Sequence, residues 1–104
     1  MTMFYVCKLD DLEIGDSIKL EQYKPPIAVI RGESGQVYAI DDTCTHAEAS
    51  FCDGFVEGDT VECPLHMSVF CLKTGAPDNP PAIKAVATHI VNIKDGDVFI
   101  EVQR

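Results

Sequence analysis

Cys44 and His46 form a C-x-H pair in "DTCTHAEAS", Cys63 and His66 a C-x2-H pair in "VECPLHMSV", and sixteen residues separate the pairs. Thiolate is a soft, charged donor and imidazole a neutral one, so each short loop offers a metal one of each. Two chemistries use such a set. A single tetrahedral zinc takes two cysteines and two histidines, but small zinc folds favour Cys–Cys and His–His pairs. A [2Fe–2S] cluster has two irons to grip, and mixed half-sites let both loops reach both irons. The spacing favours the cluster, and zinc stays as the second reading. Imidazole ligation leaves two fewer negative charges than an all-thiolate site, so an added electron meets less repulsion and the potential rises. On this reading the chain carries electrons.

The elements that must position these loops read as short strands. Apolar and β-branched runs at residues 4–6, 27–30, 37–40, 60–61, 68–72, 89–93 and 98–102 are separated by Gly and Asp signals at 33–35, 57–59, 73–75 and 95–97. No long segment holds a 3.6-residue period. The expected fold class is all-β, in small antiparallel sheets, as a single domain over residues 1–104, with residues 43–81 a cluster-bearing subregion inserted into a β base. With 104 residues, the chain is near the size at which a bound group adds needed stability, so the binding loops are expected to lose order without it.

Four segments carry a family resemblance: "CTH" at 44–46, "DGFVEGDTVECPLH" at 53–66, "FCLKTG" at 70–75 and "GDVFIEV" at 96–102. Over nearly its whole length the chain resembles the Rieske ferredoxins of bacterial aromatic-ring-hydroxylating dioxygenase systems. The resemblance implies a Rieske fold with the cluster-binding subdomain at one tip, and one [2Fe–2S] cluster on Cys44, His46, Cys63 and His66. It also implies two partners. A flavin-containing, NADH-dependent ferredoxin reductase would supply single electrons, and a terminal Rieske oxygenase would receive them and perform the ring chemistry. A proline-bearing loop covers the cluster in this family, which assigns that role to Pro80 and Pro81.

Departures from the family pattern fall inside the loops. Ala47 and Ser68 stand where glycines are common, so the local backbone is expected to differ there. Respiratory Rieske proteins tie their two loops with a disulfide, and the matching positions here are Ala49 and Leu65. They also place a serine and a tyrosine near the cluster; Ser68 matches the first, but Phe70 replaces the second and has no hydroxyl. Fewer donors stabilise the reduced charge less, so the expected potential lies nearer the roughly −150 mV end of the Rieske range than the roughly +300 mV end.

Seventeen acidic residues against eight basic ones give a net charge of −9. Nucleic acid and anionic membranes are therefore poor partners, whereas basic docking patches on proteins are good ones. Asp41, Asp42, Glu57 and Asp59 are among the acids assigned to this surface. No apolar run approaches a membrane span, and "MTMFYVCKLDD" lacks the pattern of a secretory signal, so a cytoplasmic monomer is expected. Cys7, Cys52 and Cys71 then read as reduced thiols, with Cys71 a buried small hydrophobe. His89, outside both pairs, reads as a surface or partly buried side chain. A Rieske-like subunit of another redox system and a zinc-stabilised interaction module are the alternatives.

Overall fold

The computed structural model describes residues 3–43, 50–64, 68–77 and 85–103. Among them are nine strands: β1 (Phe4–Lys8), β2 (Ser17–Leu20), β3 (Ile27–Arg31), β4 (Val37–Asp41), β5 (Phe55–Glu57), β6 (Thr60–Glu62), β7 (Val69–Cys71), β8 (Thr88–Lys94) and β9 (Asp97–Glu101). The helical elements among these residues are two single 3-10 turns, Leu9–Asp11 and Phe51–Asp53. Six strands form one sheet in the order β1-β9-β8-β4-β3-β2, and β5-β6-β7 form a second. All paired strands run antiparallel. The all-β expectation therefore holds.

The unbroken apolar run 27–30 has a simple cause, because both faces of β3 are covered. Side chains alternate across a strand. Ile27 and Val29 enter a core with Leu12, Val37, Ala39, Val98 and Ile100. Ala28 and Ile30 enter a second core with Ile40, Phe51, Val61, Cys63, Phe70, Leu72 and Val86. One wall thus serves two cores, the first inside the six-stranded base and the second between that base and the small sheet.

Two strands, β2 and β5, are absent from the sequence-based expectation. Both are edge strands. β2 alternates polar and apolar residues with Lys19 outward, and β5 is three residues long with only Val56 packed on a core. Such edges need few apolar residues, which leaves a weak sequence signal. The Asp95–Gly96 signal instead marks a two-residue hairpin between β8 and β9, with φ of 53° at Asp95 and 80° at Gly96. Positive φ at both central residues suits a type I′ turn, whose twist matches the flanking strands.

The two sheets are also joined through their hairpin turns. Glu33 N–H donates to the Gly58 carbonyl at 2.8 Å, and Gly58 N–H donates to Glu33 Oε1 at 2.8 Å. Beside them Asp59 accepts from the Ser34 N–H (3.2 Å), the Ser34 hydroxyl (2.8 Å) and the Tyr38 hydroxyl (2.9 Å).

Candidate metal centre

Cys44, His46 and His66 lie outside the described residues, as do Ala47, Ala49, Leu65, Pro80 and Pro81. The segments that root their loops are well defined. Residues 44–49 leave from Thr43 and return at Ser50, and these two residues form an antiparallel bridge. Residues 65–67 lie between Pro64 and Ser68, and the Cys63 N–H donates to the Ser68 carbonyl at 2.8 Å, closing that loop. Residues 78–84 leave from Pro77, bridged to Phe70, and return near Val86, whose N–H donates to the Gly75 carbonyl at 2.8 Å.

Phe51 follows the first loop and Phe70 follows the second, and their rings meet edge to face with centroids 5.1 Å apart. This geometry is favourable for aromatic pairs. Val86, beyond the third loop, and Cys63 lie in the same apolar cluster. Three loops distant in sequence are thereby anchored on one patch of core.

Cys63 is fully buried, with relative exposure of 0%, and its thiol is in no disulfide. A reduced cysteine at the head of a closed loop has the donor chemistry that iron requires. The residues present therefore fit a [2Fe–2S] group. Gly54 contributes by close approach, since a Cβ there would collide with the Glu62 carbonyl, one residue before Cys63. Gly75 does the same against the Val86 carbonyl, at a φ of +77°. The "DG" and "TG" steps in the sequence thus bring backbone against backbone beside two loop roots.

Asp42 is the positioning group that sequence reasoning missed. Counted among the surface acids from sequence, it is only 1% exposed in the structure. Its Oδ2 accepts from the Ser50 hydroxyl at 2.5 Å, its Oδ1 from the Cys52 N–H at 3.1 Å, and Lys19 Nζ lies 3.7 Å away. Its own carbonyl accepts from the Phe51 N–H at 2.8 Å. A carboxylate with these partners can be buried at tolerable cost. It clamps the returning end of the first loop to the leaving end. The available signal was an acidic pair directly before "TCTH".

Asp41 and Asp59 also depart from the solvated-surface expectation. Asp41 Oδ1 lies 2.8 Å from His89 Nε2, and the Gln103 N–H donates to His89 Nδ1 at 2.9 Å. That second bond makes Nδ1 the acceptor, so Nε2 carries the proton and donates to Asp41. His89 is buried, against the expectation of a surface or partly buried side chain, because it joins β4, β8 and the chain's end. The hydroxyl of Ser34 and its N–H hold the Asp59 carboxyl below the usual range. Burial, then the neighbouring Asp59, pushes the Tyr38 phenol up.

The remaining thiols are poor nucleophiles or structural. Burial pushes Cys52 up to about 11, opposed by a hydrogen bond with Ser17 and reinforced by the charge of Asp42. Burial, then Asp11, also raises Cys7. So little thiolate makes both unreactive near neutral pH. Cys71 is half-buried rather than buried: β7 turns Phe70 inward, and Cys71 takes the opposite face.

Two antiparallel sheets with three loops rooted between them form the frame of the candidate site, and comparison with known proteins supplies its class. The chain belongs to the Rieske [2Fe-2S] domain family, whose model matches residues 2–90. The 3-phenylpropionate/cinnamic acid dioxygenase ferredoxin subunit of Photorhabdus laumondii is 41% identical over 98% of this chain and 96% of its own length. The ferredoxin of carbazole 1,9a-dioxygenase from Nocardioides aromaticivorans superposes with a TM-score of 0.90 at 30% identity, over 99% of this chain and 100% of that one. A chain in a complex of reduced oxygenase and oxidized ferredoxin from carbazole 1,9a-dioxygenase gives a TM-score of 0.88 at 34% identity, over 94% of this chain and 100% of that one.

Proposed function

We propose that the chain is a ferredoxin passing one electron at a time from an NADH-dependent flavoprotein reductase to the terminal oxygenase of an aromatic-ring dioxygenase system. In this reading residues 1–104 are one domain, residues 43–81 its cluster-bearing part, and the protein works as a freely exchanging cytoplasmic monomer. Cys44, His46, Cys63 and His66 hold one [2Fe–2S] cluster. The observation that carries the reading is the rooting of three loops on one core patch, with the buried, reduced Cys63 among them, in a chain of the Rieske family.

When bound, the cluster supplies a one-electron couple and no chemistry on an organic substrate. The chain's own residues do the rest. Asp42 and the Thr43–Ser50 bridge fix the ends of the first loop, and the Cys63–Ser68 bond fixes the second. Phe51, Phe70 and Val86 form an apolar floor that excludes water from the loop roots. Phe70 offers no hydroxyl, so a redox titration of the purified protein is expected to give a midpoint towards the roughly −150 mV end of the Rieske range. A strongly positive midpoint would contradict that.

The test is reconstitution. Purified protein should show iron and acid-labile sulfide in equal amounts, a visible spectrum that bleaches with dithionite, and a reduced-state EPR signal of lower average g than an all-cysteine cluster. Added to a reductase, NADH and a dioxygenase oxygenase, it should support product formation that ceases when it is omitted. A colourless protein with stoichiometric zinc would overturn the reading.

A further inference from the structure

The small sheet has one face turned to the core, carrying Val56, Val61 and Phe70, and an opposite, outer face. Phe55, Glu62 and Val69 form one cross-strand row on the outer face, and Glu57, Thr60 and Cys71 form the next. Phe55 is 65% exposed, the largest value for a large hydrophobic side chain among the described residues. An aromatic ring left in water forgoes the stabilisation that burial would supply. The adjacent Val56 faces the core, so the hairpin does not need Phe55 for packing.

Beside Phe55 lies an open recess of about 540 Å³, with Val56 and Val69 in its lining and Glu33, Glu57 and Glu62 around them. Neither lysine nor arginine lines it among the described residues. Glu33 is held in place by the Gly58 N–H. An apolar platform with an acidic rim complements an apolar projection within a basic collar. Glu62 immediately precedes Cys63, so a protein seated here lies against the sheet that carries a proposed cluster ligand.

We infer that this face, centred on Phe55 with Glu33, Glu57 and Glu62 as its rim, is a docking surface for the terminal oxygenase. The inference rests on the proposed function, and the oxygenase is the occupant because a ferredoxin of this fold is found in complex with one. Phe55 acts as the anchor, and the carboxylates set orientation and approach rate.

The test uses the full-length, cluster-loaded protein and the purified terminal oxygenase of a 3-phenylpropionate/cinnamic acid dioxygenase. Dithionite-reduced protein, freed of excess reductant, is mixed with oxidised oxygenase in a stopped-flow spectrometer, and its reduction by the reductase is followed separately. Phe55→Ser should lower the second-order rate to the oxygenase about tenfold, as expected of a central aromatic anchor. Glu57→Lys should lower it about threefold at low salt and less at high salt. Tyr5→Ser removes an aromatic side chain 57% exposed on the base sheet and should leave the rate within about twofold. Reduction by the reductase should be unchanged in all three.

Phe55→Ser and Glu57→Lys rates matching the Tyr5→Ser control would overturn the inference. So would a loss confined to the reductase step, which would assign the face to that partner. Should Phe55→Ser fail to retain the cluster spectrum, Glu57→Lys and its salt dependence decide alone. A wild-type protein that passes no electrons to the oxygenase would instead overturn the proposed function, and the surface with it.

Discussion

The six-stranded base and the three-stranded sheet are built from the same kind of hairpin yet are held together differently. Most strands of the base have five to seven residues, and its core is filled by Ile27, Val29, Val98 and Ile100. Strands of the small sheet have three residues each. They contribute only Val56, Val61 and Phe70 inward, and lean on β3 and β4 for the rest. A three-stranded sheet of that length is marginal by itself. What supplements it is polar: the Glu33 and Asp59 junction that ties its turn to the base, with the Asp42 clamp holding the segment that leads into it. The base stands on apolar burial, and the site region on directional bonds added to a shared wall.

The sharpest way to separate the two regions is to remove the group. Cys63→Ser should abolish the cluster spectrum and strip amide-exchange protection from β5–β7 while β3, β4 and β9 stay protected, because metal-binding energy contributes to local folding. Uniform loss of protection would show that the regions are not separable. Ile100→Ala attacks the other side. It empties a fully buried site in the base core, should cost about 2–5 kcal/mol in denaturant unfolding, and should leave the visible spectrum unchanged.

A smaller effect is expected at the clamp. Asp42→Ala removes charged hydrogen bonds to Ser50 and Cys52 and should cost about 2–4 kcal/mol, with faster loss of the cluster to chelators than in Ile100→Ala. Equal chelation rates would deny Asp42 its hold on the loop. The smallest effect is acidic weakening of the inter-sheet junction. The Asp59 carboxyl is lowered in the folded chain by Ser34, so its stabilising contribution is complete above the unfolded carboxylate range. That contribution is lost as pH falls through the lowered folded value. Asp59→Asn should flatten stability against pH in the acid range only; a changed slope near neutrality would point to another group.

The family was legible because the Cys and His pattern that suggests it is a matter of types and spacing along the chain. The longer strands were legible because apolar burial writes itself as runs, as at 27–30. Edge strands β2 and β5 were not, since half-covered strands carry polar residues such as Lys19 and Glu57. The roles of Asp42 and His89 were hidden for a different reason. Their partners, Lys19, Ser50 and Cys52 for one and Asp41 and Gln103 for the other, come from separated segments. A buried carboxylate and a solvated one look alike until the fold brings those partners together.

The strand β4 and the strand β8 meet directly: Ala39 pairs with His89, and the Asp41 N–H donates to the Ala87 carbonyl at 2.9 Å. The chain between β4 and β8, which holds all four proposed ligands, leaves the base and returns to it at that one crossing, so it is built as a cassette. Lengthening such an excursion is inexpensive, since each doubling of a flexible loop costs only about 0.6 kcal/mol of closure entropy. Its outer surface can therefore be redrawn for a new partner, by substitution or insertion, while the base that supports it is inherited unchanged.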